Sequence, residues 1–522
     1  MAAASTTAQG APADGHASEL ASLGYKQELS RELGPFASFA SGFSFVSILT
    51  TVFQLFALGF ALGGPAYFWT WPIVFVGQFC VSLCFAELSA QYPIAGAVYQ
   101  WSRRVSSDPI GWVAGWLMMI GYIISIAAIA IALQAVLPPI WSGFQIIGHD
   151  TSPVSPDGAK NAILIGSICI ALCAVIGSLG VSKMSLLTRI GVTCEIIGVV
   201  IVLVLLFAHA TRGPGVVFET GGVEGKGSYI GPFFASMLMA AYVMYGFDSA
   251  AELSEETSDP KRTAPRAILL CMLVSAVGGG LMILAALMAA PDLKSADLSL
   301  GGIPYILEQV LPEGLAKFVL VVVAISIFSA ALAISASATR VVFSMARDGR
   351  LPFAQQLSYV SPRTQTPYIA ALSVSVLAIG VLLLNLGQTG VFASVTSISV
   401  VIVYMAYLFV TVPLLIKRIK AGRLFAEPID GPGYFTLGRL GLPINLVAVV
   451  FGGVLMVNVG WPRAEIYDPA GGHWLLQYSA PIFVVAALML GGIAYLVMRN
   501  QQATGAGVIK ADEVATPVTT AA

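Results

Sequence analysis

The sequence predicts an all-α integral membrane protein of about twelve transmembrane helices, and three observations carry that expectation. Of its 522 residues, 57% are hydrophobic and 10% are charged, whereas a soluble domain carries about 25% charged residues. The apolar residues gather into runs of roughly twenty, the length that crosses about 30 Å of hydrocarbon at 1.5 Å per residue. Lys and Arg collect in alternate connections between the runs. Helix is the structure expected of each run, because hydrocarbon offers no partner to an open strand edge.

The expected spans are 36–62, 64–86, 110–137, 161–180, 190–210, 229–253, 267–290, 318–339, 367–386, 391–416, 443–461 and 478–498. With the N-terminus inside, the 26 basic residues divide into 20 cytoplasmic and 6 external, the latter Lys160, Arg212, Lys226, Lys294, Lys317 and Arg463. That asymmetry obeys the positive-inside rule, and a shift by one span would invert it. Met1 to Ser30 is small, polar and Ala-rich, with no apolar core of a signal peptide. It is read as a disordered cytoplasmic N-terminus.

Residues 31–416 are then expected to be a ten-helix core and 417–442 a basic, Gly/Pro-rich cytoplasmic loop. Residues 443–498 would add two helices, and 499–522 a disordered cytoplasmic tail. The six cysteines all fall inside spans, where a thiol serves as a small apolar filler. No disulfide, metal site or cofactor is expected. The connections are too short to hold a nucleotide-binding or nucleic-acid-binding module. The four histidines lie at span ends, in loops or in the tail, and no catalytic grouping accompanies them.

Two spans carry polar interruptions. The first contains Ser41, Gly42, Phe43, Ser44 and Phe45, and the sixth contains Tyr245, Gly246, Phe247, Asp248 and Ser249. Matching interruptions in two halves of a chain are the sequence pointer to an inverted-repeat transporter site. Close helix packing through small residues is the other reading of each segment. Few groups inside the spans ionise, and a charge at mid-membrane costs at least about 2.5 kcal/mol. Asp248 reads as a proton- or cation-coupling group or as the N-cap of the second half-helix. Glu195 reads as a second relay carboxylate or as the partner of Lys183 or Arg189. Glu87, Glu252 and Arg340 sit near cytoplasmic ends and read as gate or structural residues. Glu252, Glu255, Glu256 and Asp259 are expected to face Lys261, Arg262 and Arg266. Tyr242 would flank a ligand at the break, forming an aromatic wall for an amine with Phe43 and Phe45.

Four motifs resemble the amino acid–polyamine–organocation (APC) transporters. They are Ala86-Glu87-Leu88 with Pro93 to Tyr99; Tyr245 through Glu255-Glu256-Thr257 to Arg266; Thr339-Arg340 leading to Met345 through Pro352; and Leu23 to Arg31. The last looks like the branch of GABA and choline permeases, and the likeness covers roughly residues 23–500. The resemblance implies a five-plus-five inverted repeat with two added helices. It also implies that the substrate's carboxylate meets free N–H groups of Phe43, Ser44 and Phe45, and its amine the carbonyls and aromatics of spans one and six. Two departures stand out: bulky Phe43-Ser44-Phe45 replaces the family's Gly-Ser-Gly, and Glu195 stands where proton-coupled members often have Lys.

The function implied is a secondary permease for an amino acid or related amine, GABA-like or choline-like, working as a proton symporter in the plasma membrane with both termini cytoplasmic. Its partners would be that small molecule, the coupling ion and the lipid bilayer, with no nucleic acid. A broad-range exchanger is the alternative. A transporter-derived sensor is a third reading, disfavoured because no sizeable cytoplasmic domain is added.

Overall fold

The apolar runs become helices because a backbone in hydrocarbon must satisfy its own hydrogen bonds. The computed structural model describes residues 20–153, 155–223, 227–386, 391–420, 434–468, 471 and 473–503. Among these, ten helices are long and apolar enough to cross a membrane, and two shorter apolar helices complete the expected twelve crossings. One isolated β-bridge, Leu33 to Thr257, is the extent of extended pairing among the described residues.

The first crossing is two helices, α1 (Pro35–Val46) and α2 (Ile48–Gly63). The second is α3 (Thr70–Gln91), and a short amphipathic helix, α4 (Ala97–Val105), follows it. Crossings three to five are α5 (Asp108–Ile140), α6 (Pro156–Ser178) and α7 (Val181–Ala208). The sixth is again divided, into α8 (Ile230–Val243) and the single turn α9 (Ser249–Glu252). After α10 (Pro260–Ala289) comes α11 (Ala296–Val310), a helix outside the crossings. Crossings eight to ten are α12 (Glu313–Arg347), α13 (Tyr368–Leu382) and α14 (Val391–Lys420). The last two are α15 (Gly441–Gly460) and α16 (Ser479–Ala503).

The second divided crossing comes five after the first, so the divided helices run in opposite directions, as a five-plus-five inverted repeat requires. Burial ranks the helices. The central window of α5 is 89% buried, whereas those of α15 and α16 are 28% and 22% buried. The final pair therefore lies at the periphery of the bundle.

The N-terminal stretch departs from the expectation of disorder within the described residues 20–33. Leu20 and Leu29 are buried, and the Leu33 N–H donates to the Glu256 carbonyl at 2.8 Å. Apolar anchors and backbone pairing hold a segment whose composition alone reads as loose. Residues 1–19, 421–433 and 504–522, on which the expected disordered ends and basic loop mostly fall, lie outside the described residues, as does Lys226.

Candidate functional site

The two interruptions meet at the centre of the bundle. In the first crossing α1 continues through Val46, and the break is one residue, Ser47, held left-handed at φ 35° and ψ 79°. The expected position, Ser41 to Phe45, is thus corrected by a few residues. Glycine and serine there do not unwind the helix, so the N–H groups of Phe43, Ser44 and Phe45 are used inside α1. Gly42 instead permits close approach: a Cβ there would stand 3.1 Å from the Ala250 Cβ of α9. The N–H groups left free by the break belong to the start of α2.

In the sixth crossing the chain leaves helix after Val243 and resumes at Ser249. Gly246 is at φ +87°, and a Cβ on it would lie 1.9–2.0 Å from carbons of the Phe45 ring. Glycine is therefore required twice, by a left-handed backbone and by the aromatic ring laid across it. The Ser249 hydroxyl reaches the Ser41 carbonyl at 3.4 Å, and the Ser38 hydroxyl reaches the Ala250 carbonyl at 3.2 Å. The two divided crossings are thus tied to each other.

Around Gly246 lies a closed set of hydroxyls and rings. The Gly246 N–H donates to the Tyr407 hydroxyl at 2.9 Å, and that hydroxyl donates in turn to Asp248 Oδ1. Tyr122 donates to Asp248 Oδ2 at 2.6 Å. Both oxygens of this fully buried carboxylate are filled, and neither caps α9. The Tyr245 hydroxyl lies 2.9 Å from both Ser125 and Ser399, which are 2.8 Å from each other. The Phe45 ring sits 5.2 Å from Tyr122 and 6.2 Å from Tyr245, and Tyr242 meets Tyr245 edge-on at 5.3 Å.

Glu195 reaches the other break. Its Oε1 lies 2.9 Å from the Ser47 hydroxyl and accepts from the Leu49 N–H at 3.3 Å. The carboxylate occupies the N-terminus of α2, where helix dipoles and free N–H groups favour an anion. Its Oε2 is buried with no hydrogen-bond partner among the described residues. Lys183 and Arg189 are exposed elsewhere on α7, so the structural pairing considered for Glu195 does not form. Ser44 bonds Ser329 at 2.8 Å, joining α1 to α12.

The face bearing residues 20–33 is sealed by charge. Arg340 grips Glu256 with bonds of 2.8 and 3.1 Å, and Arg347 grips Glu255 with bonds of 2.9 and 2.7 Å. These partners come from α12, not from Lys261, Arg262 and Arg266 as expected; the Asp259 carboxylate stands 3.9 Å from Arg262 in an exposed contact. Their two-pronged geometry is what a planar guanidinium supplies. Tyr25 lays its ring 4.2 Å from the Arg347 guanidinium and points its hydroxyl at Asp348, 3.0 Å away. Burial, ahead of the Asp348 charge, pushes the Tyr25 phenol above its ordinary value, so it stays a donor. Glu87 pairs with Arg418 and accepts from the Leu437 N–H at 2.9 Å, tying α3 to α14. Glu252, at the end of α9, is fully buried and faces the backbone N–H groups of Gly96, Ala97 and Val98 at the start of α4.

On the opposite side a cavity of about 320 Å³ leads inward from α11. Phe53, Gln54, Ile131, Pro304 and Ile327 are among its walls, and Thr50 stands within it. The Thr50 hydroxyl is 2.7 Å from Ser47, so the cavity reaches the break in the first crossing. Gln54 Oε1 is buried without a hydrogen-bond partner among the described residues.

The structure therefore brings together Phe45, Tyr242, Tyr245, Gly246 and Asp248, places Glu195 on the neighbouring break, and has Glu87, Glu256 and Arg340 in ion pairs away from it. Sequence reasoning missed Ser47, Tyr122, Ser125, Ser329, Ser399 and Tyr407. The available signal was hydroxyl groups deep inside apolar runs, far from the interfaces where Tyr normally sits.

The model of the amino acid permease family matches residues 33–491. An amino-acid permease of Arabidopsis thaliana, BAT1, is 27% identical over 471 residues, covering 85% of this chain and 88% of that protein. Its homolog in Oryza sativa is 26% identical over 510 residues, covering 92% and 95%. A putative polyamine transporter of Candida albicans is 26% identical over 487 residues, covering 87% and 83%.

Proposed function

We propose that this chain, which belongs to the amino acid permease family, moves an amine-bearing small molecule together with a proton. Membership makes it a membrane transporter of amino acids, not an enzyme. The finer reading concerns the cargo and the coupling. The rings of Phe45, Tyr122, Tyr242 and Tyr245 around the break suit a cationic amine, GABA-like or choline-like. One relative also carries the name of a polyamine transporter.

The observation that carries the coupling is the lone Oε2 of Glu195. An ionised carboxylate shut off from water with an unfilled oxygen costs several kcal/mol, and a proton there removes the cost. When the cavity hydrates, Glu195 can exchange that proton while Ser47 and Leu49 keep it aimed. Asp248, with both oxygens filled, serves better as the pin that fixes Tyr122 and Tyr407 beside Gly246. The sealed N-terminal face is the cytoplasmic one in this reading, as the basic residues favour, and the membrane is the plasma membrane.

Uptake of labelled amines into proteoliposomes under an imposed pH gradient tests the proposal. Accumulation that follows the proton gradient supports symport. Accumulation only against an internal counter-substrate supports the broad-range exchanger, and binding without filling supports the sensor.

A further inference from the structure

A groove runs along the membrane-facing side of α14, bounded by the end of α4, the start of α5, and by α15 and α16. Its volume is about 1130 Å³, and its apolar walls include Met405, Leu408, Val412, Met456 and Leu488. Arg104, Lys417 and Lys420 line one end, and among the described residues no carboxylate lines any part of it. From Met405 to Lys420, α14 covers about 22 Å at 1.5 Å per residue. The hydrocarbon of one leaflet is about 15 Å deep, so the lysines stand at headgroup level while the apolar part lies within the chains.

We propose that this groove binds one anionic phospholipid, its phosphate against Lys417, Lys420 and Arg104 and an acyl chain along α14. Charge complementarity argues for that occupant. Lys417 and Lys420 are exposed and make no ion pair among the described residues. Arg104 uses one amino group on the Leu23 carbonyl at 2.9 Å, while its Nε is buried without a hydrogen-bond partner among the described residues. An apolar trough with cations confined to its interfacial end matches a chain below a phosphate, and a neutral headgroup would leave three cations without a counter-charge.

The groove is joined to the central site through its own wall. Leu408 and Phe409 directly follow Tyr407, which holds Asp248 and Gly246. Pro413 lacks an N–H, and the Phe409 carbonyl accepts from the Ser102 hydroxyl of α4 at 2.6 Å. A lipid seated there would bear on the helix that fixes the break in the sixth crossing.

Native mass spectrometry of the purified full chain, titrated with phosphatidylglycerol and with phosphatidylcholine of identical acyl chains, tests the inference. The native chain should retain phosphatidylglycerol preferentially. The double variant Lys417→Gln/Lys420→Gln should lose about fivefold per lysine, about twenty-fivefold in all, with phosphatidylcholine unaffected. Val412→Trp, which fills the trough, should reduce the first bound lipid of either kind. Equal retention of the two lipids by the native chain would overturn the proposal, as would a lysine variant that keeps its phosphatidylglycerol. Unchanged binding in Val412→Trp would overturn the location, leaving the groove to another occupant such as residues 421–433 of this chain.

Discussion

Replacing Gly246 with alanine isolates the contact on which the central site depends. Two costs add. A left-handed backbone at φ +87° is unfavourable for a residue with a Cβ by roughly 1–2 kcal/mol. The new methyl would lie 1.9–2.0 Å from ring carbons of Phe45, and forcing bulk into a filled interior costs about 1–3 kcal/mol. The sum is about 2–5 kcal/mol, enough to drive Phe45 off the sixth crossing and disturb Tyr122 beside it. Gly42→Ala is the matched control. Its Cβ would meet the Ala250 Cβ at 3.1 Å, without a left-handed backbone, so a shift of a few tenths of an ångström accommodates it. In proteoliposomes with equal amounts of monodisperse protein, Gly246→Ala should lose at least tenfold in uptake while Gly42→Ala stays within about threefold. Equal activity of the two variants would refute the reasoning, because the apposed breaks would then be packing seams alone.

Other perturbations probe the remaining contacts. Glu256→Gln leaves Arg340 buried without its charge partner, and breaking such a pair costs about 3–5 kcal/mol; the double variant Glu256→Gln/Arg340→Met should recover part of the lost thermal stability. Tyr25→Phe keeps the ring on Arg347 but removes the hydroxyl bond to Asp348, a loss of about 1 kcal/mol. Labelling of cysteines introduced beneath Glu255 should quicken severalfold in that variant, and more in Tyr25→Ala. Asp248→Asn retains one acceptor for two tyrosine hydroxyls, so uptake should fall while the response to a pH gradient persists. Loss of that response would return the coupling role to Asp248.

The crossings were legible because a span needs only length and apolarity, and those are local properties of the chain. Even the shorter eighth and thirteenth helices, Ile230–Val243 and Tyr368–Leu382, are marked by apolar runs. The pairing of the first and sixth crossings was also legible, since glycine and hydroxyls inside apolar runs are conspicuous. The register of the first break was not. Gly42 drew attention, yet its task is to admit Ala250, and the turn falls at Ser47, where Glu195 and the Thr50 hydroxyl stabilise it. Such a turn depends on a carboxylate nearly 150 residues away, beyond any local pattern. The ion-pair partners were hidden for the same reason: Glu255 and Glu256 have basic neighbours in sequence at Lys261 and Arg262, but α12 presents Arg340 and Arg347 in better geometry. Tyr25 shows the opposite case, a residue in a polar segment placed by long-range contacts with Arg347 and Asp348.

The most direct test of the account is the Glu195→Gln chain in proteoliposomes. An amide keeps an acceptor for Ser47 and Leu49 but cannot release and take up a proton as a carboxyl does. The account predicts that the variant equilibrates labelled amine across the membrane and no longer concentrates it when an inward proton gradient is imposed. Concentrative, gradient-driven uptake at the native level would contradict the assignment of the coupled proton to Glu195.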